Sequence, residues 1–427
     1  MQAFRVPRFM SLAFMLSFAA LCAGNSGATT FALSQISPVF EGMSPIPYYI
    51  LALGVCALCI KPVPMHSLTL FLGLALVLSY FLLATLWSPS FEYRIDKAAR
   101  TIVVPTTMVL AGYFVARKGG INWFAAAAGV YALIIAVAVV ATGQGITASL
   151  EALLVSDEAR SLDYQRFSII CGAAAAVLIP LLRLDRPVWL GVAAVLAVLA
   201  LGSGGRTGAL LIGVGILVRM SMQFSPRVII PVAVVAIALG FFALNPIIEF
   251  ITGIAADVGA PETILRALQA AIAPPEITRV WNRPEFLRAA FEIFRENPLI
   301  GAGWGGFPTA AGLPDELGFH PHNIVAELLA ETGLIGLVLF ALWFSLAIGR
   351  LIRLRAEPAD RPFVASVWAA LLCGLTVAMF IGDLPSQWLL FVSLGLGIGC
   401  FDTIWLESRA RRNVAPRRSV IELAGTS

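Results

Sequence analysis

The chain has 427 residues, of which 59% are hydrophobic and only 13% charged, with a net charge of +4. Water-soluble domains carry about 45–50% apolar and about 25% charged residues, so this composition excludes an ordinary soluble core. The small basic excess suits an anionic membrane face and not nucleic acid.

A helix needs about 17 to 25 apolar residues to cross the hydrocarbon, because lipid satisfies none of its backbone groups. About twelve such runs follow one another along the chain. They centre on Phe9 to Gly24, Tyr48 to Ile60, Ser67 to Leu86, Thr101 to Ala116, Ile121 to Thr142, Ser168 to Leu182, Val188 to Leu201, Thr207 to Met220, Val228 to Leu244, Ile324 to Gly349, Phe363 to Ile381 and Gln387 to Leu406. The predicted fold is an all-α integral membrane protein. Transmembrane helices fill 1–244 and 324–406, a long connection fills 245–323, and a tail at 407–427 reads as disordered from Ser408.

Basic residues accumulate in cytoplasmic loops. An inside N-terminus places Arg5, Arg8, Lys61, Arg117, Lys118, Arg183, Arg186, Arg219, Arg227, Arg350, Arg353, Arg355, Arg361, Arg409, Arg411, Arg412, Arg417 and Arg418 there, and it leaves the outer stretch 25–47 without a Lys or Arg. Arg5 and Arg8 ahead of an apolar stretch ending near Ala23 also fit a cleaved signal peptide, and the sidedness downstream is the same either way. The six cysteines fall inside apolar runs and imply no disulfide framework. The Cys56/Cys59 pair, with no His or charge beside it, reads as packing.

Only the connection 245–323, expected outside, is long enough for structure of its own. Pro261 to Ala273 and Pro284 to Glu296 read as helices, the second capped by Asn282 and stopped by Asn297-Pro298. In that second helix Phe286, Leu287, Ala290, Phe291 and Phe294 recur on one side, and Arg288, Glu292, Arg295 and Glu296 on the other. Such a helix lies on a surface and holds its arginines at headgroup level.

The basic residues left outside are Arg94, Lys97, Arg100, Arg160, Arg166, Arg206, Arg266, Arg279, Arg283, Arg288 and Arg295. All but Lys97 are arginines, whose planar forks suit phosphate, so the outer face reads as a phosphate-binding surface. Arg160, Arg166, Arg266 and Arg295 read instead as ordinary juxtamembrane charge. Arg206 stands apart within Gly202-Ser203-Gly204-Gly205-Arg206-Thr207-Gly208. There, glycines let a ligand approach and the next helix start presents free amides to an anion; snorkelling to the interface is the alternative.

Two histidines stand together in His320-Pro321-His322-Asn323, where the long connection re-enters the membrane. A neutral imidazole there could accept the proton of a sugar hydroxyl. With Asp315 and Glu316 nearby a metal site is the rival reading, on a weak signature, and no metal is assigned. His66, in a cytoplasmic loop, is given no role. The run Gly301-Ala302-Gly303-Trp304-Gly305-Gly306 evokes a dinucleotide fingerprint, but it follows a helix and not a strand, so it reads as a tight turn back towards the bundle. Asp383, in Gly382-Asp383-Leu384-Pro385 at an outer boundary, is either an arginine partner or a turn residue.

Three pieces together resemble the O-antigen ligase family and the related bacterial polysaccharide polymerases. They are the Ser-Gly-Gly-Arg-Thr-Gly segment around Arg206, the run from Arg279-Val280-Trp281 through Glu296-Asn297-Pro298-Leu299-Ile300-Gly301-Ala302-Gly303, and His322-Asn323 followed by Glu331-Thr332-Gly333-Leu334-Ile335-Gly336. The resemblance implies a metal-independent, inverting glycosyltransferase of the C type in the bacterial inner membrane, with its active site facing the periplasm. The donor would be an undecaprenyl-diphosphate-linked glycan, and the acceptor lipid A-core or a growing polysaccharide. Membrane lipids are the remaining partner, with no cofactor and no nucleic acid. By motif, Arg206 and Arg279 would hold the diphosphate and His322 would activate the acceptor hydroxyl. Arg283, Arg288, His320, Asn323 and Asp383 would support them. Members often carry a serine before the arginine where this chain has Gly205. A transporter for the lipid-linked sugar remains the competing class, although its charges are expected in mid-helix along a path, whereas these collect on the outer side.

Overall fold

The computed structural model describes residues 12–40, 43–118, 120–141, 161–182, 187–202, 206–225, 283–315, 318–354 and 361–424, with isolated positions at 227, 231 and 253. Among the described residues the chain is helical throughout and contains no strand. Six helices among the described residues are long and apolar enough to cross a membrane. These are α4 (Met65–Ala84, with a 3-10 turn to Trp87), α5 (Glu92–Arg117), α6 (Ile121–Ala141), α12 (Ile324–Ile352), α13 (Arg361–Phe380) and the apolar part of α14 (Trp388–Ala424). Four apolar helices are shorter: α3 (Ile46–Leu58), α7 (Ser161–Leu178), α8 (Pro187–Gly202) and α9 (Arg206–Ser221). The predicted run Val228 to Leu244 and the helix Pro261 to Ala273 lie outside the described residues.

Two boundaries differ from expectation. The first run is a bent pair, α1 (Leu12–Gly24) and α2 (Ser26–Ser34), meeting at 94°. Part of the stretch read as an outer loop is therefore helical. It is held in place because Thr29 Oγ1 reaches Tyr131 Oη at 3.0 Å and Thr30 Oγ1 reaches Tyr48 Oη at 3.0 Å. At the other terminus α14 continues to Ala424 in place of a disordered tail from Ser408. The Arg and Ala residues of 408–415 favour helix, although Pro416 within the span does not.

The centre of the bundle is α5 against α14. A Cβ added at Gly112 would overlap the Val392 carbonyl, and Cβ atoms at Gly395 and Gly399 would overlap the carbonyls of Val109 and Tyr113. Small residues thus bring the two backbones into contact, as they do where helices associate in lipid. At one end of this pair, buried Asp402 accepts hydrogen bonds from Ser67 Oγ and Tyr113 Oη at 2.7 Å each and meets His66 Nε2 at 2.7 Å. Arg350 Nη2 donates to the His66 carbonyl at 3.0 Å, and Lys61 Nζ to the Arg117 carbonyl at 2.9 Å. His66, given no role by its sequence context, therefore ties α4 to α14. Arg94, Arg100, His322 and Asp383 occupy the opposite end.

At that opposite end α12 is broken. Gly333 sits at φ 63° and ψ −163°, a region almost closed to side chains, so Ile324–Thr332 forms a first half and Leu334–Ile352 a second half. The break exposes backbone groups, and the segment Pro298–Gly303 meets them. Ala302 N donates to Ala330 O at 2.8 Å and Gly303 N to Glu331 O at 2.9 Å, while Leu334 N donates to Pro298 O at 2.9 Å and Ile335 N to Leu299 O at 3.1 Å. Gly301 and Gly333 face each other's chain segments so closely that a Cβ on either would overlap the opposing backbone. The run Gly301–Gly306 is thus a tight turn docked on the bundle, and its Trp304 is fully buried against Phe81, ring centroids 4.6 Å apart.

The start of α5 is held from outside. Asp315 Oδ2 accepts from Phe91 N and Glu92 N at 2.8 Å each, and Oδ1 accepts from the Ser90 hydroxyl. A carboxylate against the free amides of a helix N-terminus is favourable. Burial pushes this carboxyl up, but the Ser90 hydroxyl and the amides outweigh burial and hold it below its usual range.

Two outcomes are expected. Gly333→Ala places a Cβ in a conformation that costs about 1–3 kcal/mol before any overlap is counted. It should lower the thermal-unfolding midpoint in detergent, whereas Gly349→Ala, which opens into free space, should not; equal midpoints would refute the packing account. Because the folded Asp315 carboxyl lies below its unfolded value of about 3.9, its contribution is present above that pH and lost as pH falls through the folded value. Between about pH 5 and about pH 3 the wild-type midpoint should therefore fall more steeply than that of Asp315→Asn, and parallel curves would show that the anchor contributes nothing.

Candidate active site

The long connection returns to the bundle through α10 (Arg283–Glu296), which matches the expected helix and ends before Asn297-Pro298. Its buried stripe is Phe286, Ala289, Ala290 and Ile293, packed on Ala326 and Ala330 of α12 and on Phe307, which opens the short helix α11 (Phe307–Ala310). Phe291, read as part of the apolar side, is 52% exposed. The face that meets α12 is set by the 286, 290, 293 spacing, and Phe291 lies a quarter-turn beyond it. Arg288 and Arg295 are exposed on the outer face, as expected.

The histidine turn stands between α10 and α12. His322 adopts φ 54°, the one non-glycine residue with positive φ among those described. Backbone strain of this kind clusters at functional sites. The His322 ring lies 4.3 Å from that of His320 and 5.7 Å, edge-on, from Phe286. His320 Nδ1 meets the Gly318 carbonyl at 3.2 Å, while its Nε2 is buried with no partner among the described residues. Burial pushes the His320 imidazole below its ordinary range, and the Asp383 charge offsets this only partly. Asn323 is the cap of α12. Its Oδ1 caps α12 by accepting from Val325 N at 3.1 Å and Ala326 N at 3.0 Å, and its Nδ2 donates to Met379 O at 3.4 Å.

Asp383 is an arginine partner, not a simple turn residue. Its Oδ2 meets Arg100 Nη1 at 2.8 Å and accepts from Tyr93 Oη at 3.0 Å, and Ser386 Oγ donates to Oδ1. Burial alone would raise this carboxyl, but the Arg100 guanidinium wins and holds it far below the usual carboxylate range.

Of the arginines expected at the diphosphate, Arg279 lies outside the described residues. Arg206 opens α9, so the helix start with its free amides falls where the glycine-rich segment predicts. Val218 packs on Ala365 and Ala369, and Cys373 Sγ reaches Leu211 O at 3.8 Å. This antiparallel register brings Arg206 level with the last turn of α13, the turn that Asn323 touches through Met379. Arg283 opens α10 one turn before Phe286, the residue against His322. Arg288 occupies the far side of α10 from Phe286 and does not join the histidines. Asp315, weighed as a metal ligand, has both oxygens engaged at the start of α5. Among the described residues no group of His, Cys, Asp and Glu has metal-holding geometry.

A buried charge cluster beside this turn escaped the sequence reading. Lys97 Nζ lies 2.5 Å from Glu327 Oε1 and 2.6 Å from Glu331 Oε2, and all three side chains are at most 1% exposed. Glu331 Oε2 also accepts from Gly305 N at 2.8 Å, and Glu327 Oε2 from Leu384 N at 2.9 Å. The ammonium lies 4.3 Å from the Trp304 ring, whose Nε1 donates to Thr101 Oγ1 at 2.8 Å. The available signal was two glutamates four apart inside an apolar run, which put both on one helix face and require a buried partner.

Residues 190–341 match the family model described as O-antigen ligase. The exopolysaccharide production protein ExoQ of Rhizobium meliloti (strain 1021) is 30% identical over 194 residues, a match that covers 38% of this chain and 43% of that relative. The family match takes in Arg206, both histidines of the turn, and the broken first half of α12. Over residues 190–341, the chain is similar to the O-antigen ligase family.

Proposed function

We propose that the chain transfers a glycan from undecaprenyl diphosphate to an acceptor hydroxyl at the end of the bundle where His322 sits. The observation that carries this reading is the strained His322 turn, paired with His320 and packed on Phe286 one turn after Arg283. In the proposed step the acceptor oxygen bonds to the anomeric carbon as the bond from that carbon to the diphosphate oxygen breaks. His322 takes the hydroxyl proton, undecaprenyl diphosphate leaves, and a single displacement inverts the anomeric centre. Fixed positive charge at the leaving group is where stabilisation matters most, and Arg206 with Arg279 supply it. The donor already holds an activated bond, so the step requires no nucleotide and no metal.

The same reading takes the chain as a protein of about twelve spans in the bacterial inner membrane, with 245–323 in the periplasm; the six long apolar helices and four shorter ones support it. The acceptor proposed is lipid A-core. A second reading, extension of a growing polysaccharide, is favoured by the likeness to a relative named for exopolysaccharide production. Deleting the gene separates the two. Intact core without polymer, with long lipid-linked chains accumulating, indicates ligation; accumulating single repeats indicate polymerisation.

With purified lipid-linked donor, Arg206→Ala and Arg279→Ala should each abolish transfer at normal protein level, and lysine should rescue poorly because it keeps the charge but loses the fork. Near-normal transfer by both alanine variants would remove the diphosphate assignment. His322→Ala should lose about a hundredfold to ten-thousandfold in rate with donor binding retained, and His320→Ala much less. Chelator should change nothing. A fully active His322→Ala enzyme, or chelator-sensitive activity restored by a divalent ion, would overturn the mechanism.

A further inference from the structure

The transfer step uses none of Lys97, Glu327 and Glu331, yet they form the most buried charge cluster among the described residues at this end of the bundle. Stability alone is a weak reason to bury three charges, since apolar replacements of similar shape often cost nothing. What the cluster supplies is direction. Glu327 lies one turn into α12 from the His322–Asn323 turn, and its two oxygens point to different segments: Oε1 to Lys97 on α5, Oε2 to Leu384 N, the residue after Asp383. Glu331, one turn further, joins Lys97 to Gly305 N in the turn that satisfies the break in α12. Lys97 is thus the hub where the histidine-bearing half-helix, the Asp383 turn and the Gly301–Gly306 turn meet.

We propose that Lys97 and Glu327 are positioning residues, whose ion pair sets the separation between the His322 turn and the Asp383 turn. Neither touches the reacting atoms. The consequence for rate rests on the glycosyl-transfer reading, whereas the coupling of the two turns does not.

The test uses the full chain in lipid nanodiscs and compares wild type with Glu327→Gln, Glu327→Ala and the charge-free triple variant Lys97→Met/Glu327→Gln/Glu331→Gln. Three quantities are read: turnover and KM with undecaprenyl-diphosphate-linked glycan, the rate of diethyl pyrocarbonate labelling at His322 by peptide mass spectrometry, and the unfolding midpoint. The triple variant should fold with a near wild-type midpoint, lose about 10- to 100-fold in kcat with donor KM little changed, and label at His322 at a rate clearly different from wild type. Glu327→Gln, which keeps an oxygen for Leu384 N, should retain more turnover and more wild-type labelling than Glu327→Ala. Wild-type turnover and labelling in a folded triple variant would overturn the proposal. If the triple variant fails to fold, indistinguishable labelling of the Gln and Ala variants at position 327 would overturn it instead. Should wild type transfer no glycan at all, the transfer reading falls and the labelling still decides whether the cluster couples the two turns.

Discussion

A helix interrupted where little water reaches it must have its freed carbonyls and amides met by protein, and the end of this molecule that carries the histidine turn is organised around one such interruption. Four backbone hydrogen bonds join Pro298–Gly303 to the break around Gly333. They tie the end of the long connection to the middle of α12. The chain between the two partners, about thirty residues, is thereby closed into a loop whose ends are fixed, and the histidine turn lies within it. Without that closure α10 would have no surface to pack on, and Trp304 and Gly305 would not reach the Lys97 cluster.

Much of the helical layout was legible in the sequence because apolar runs in lipid are long and their ends are marked by charge, glycine and proline. The limits of α10 came from Pro284 and Asn297-Pro298, and the start of α9 from the glycines before Arg206. The identity of the buried face was less legible. Phe291 has the same apolar character as Phe286, and only the position of α12 decides which of them is covered. The bend between α1 and α2 left no proline or charge to announce it; it depends on hydroxyl contacts to Tyr48 and, much further along the chain, Tyr131.

The candidate site divides along the same line. His320, His322 and Asn323 could be singled out because they are polar and adjacent in sequence. Lys97 with Glu327 and Glu331 could not be assembled that way, since the partners stand over two hundred residues apart and meet only once α5 and α12 are packed. Arg100 and Asp383 are a similar pair; the sequence allowed an arginine partner for Asp383 but could not say which. His66 looked idle for the same reason, its acceptor Asp402 being near the other end of the chain.

The backbone contact between α5 and α14 has a mechanical consequence. Glycines at Gly112, Gly395 and Gly399 let the carbonyl rows of the two helices interlock, so neither can slide or rotate past the other without collision. The pair therefore behaves as a single stiff beam, and the first half of α12 is fastened to it by ion pairs. α10, by contrast, packs on α12 and α11 mainly through apolar side chains, Phe286, Ala289, Ala290 and Ile293 among them. Movement at this end of the bundle is then easier for α10 than for the beam and the half of α12 pinned to it.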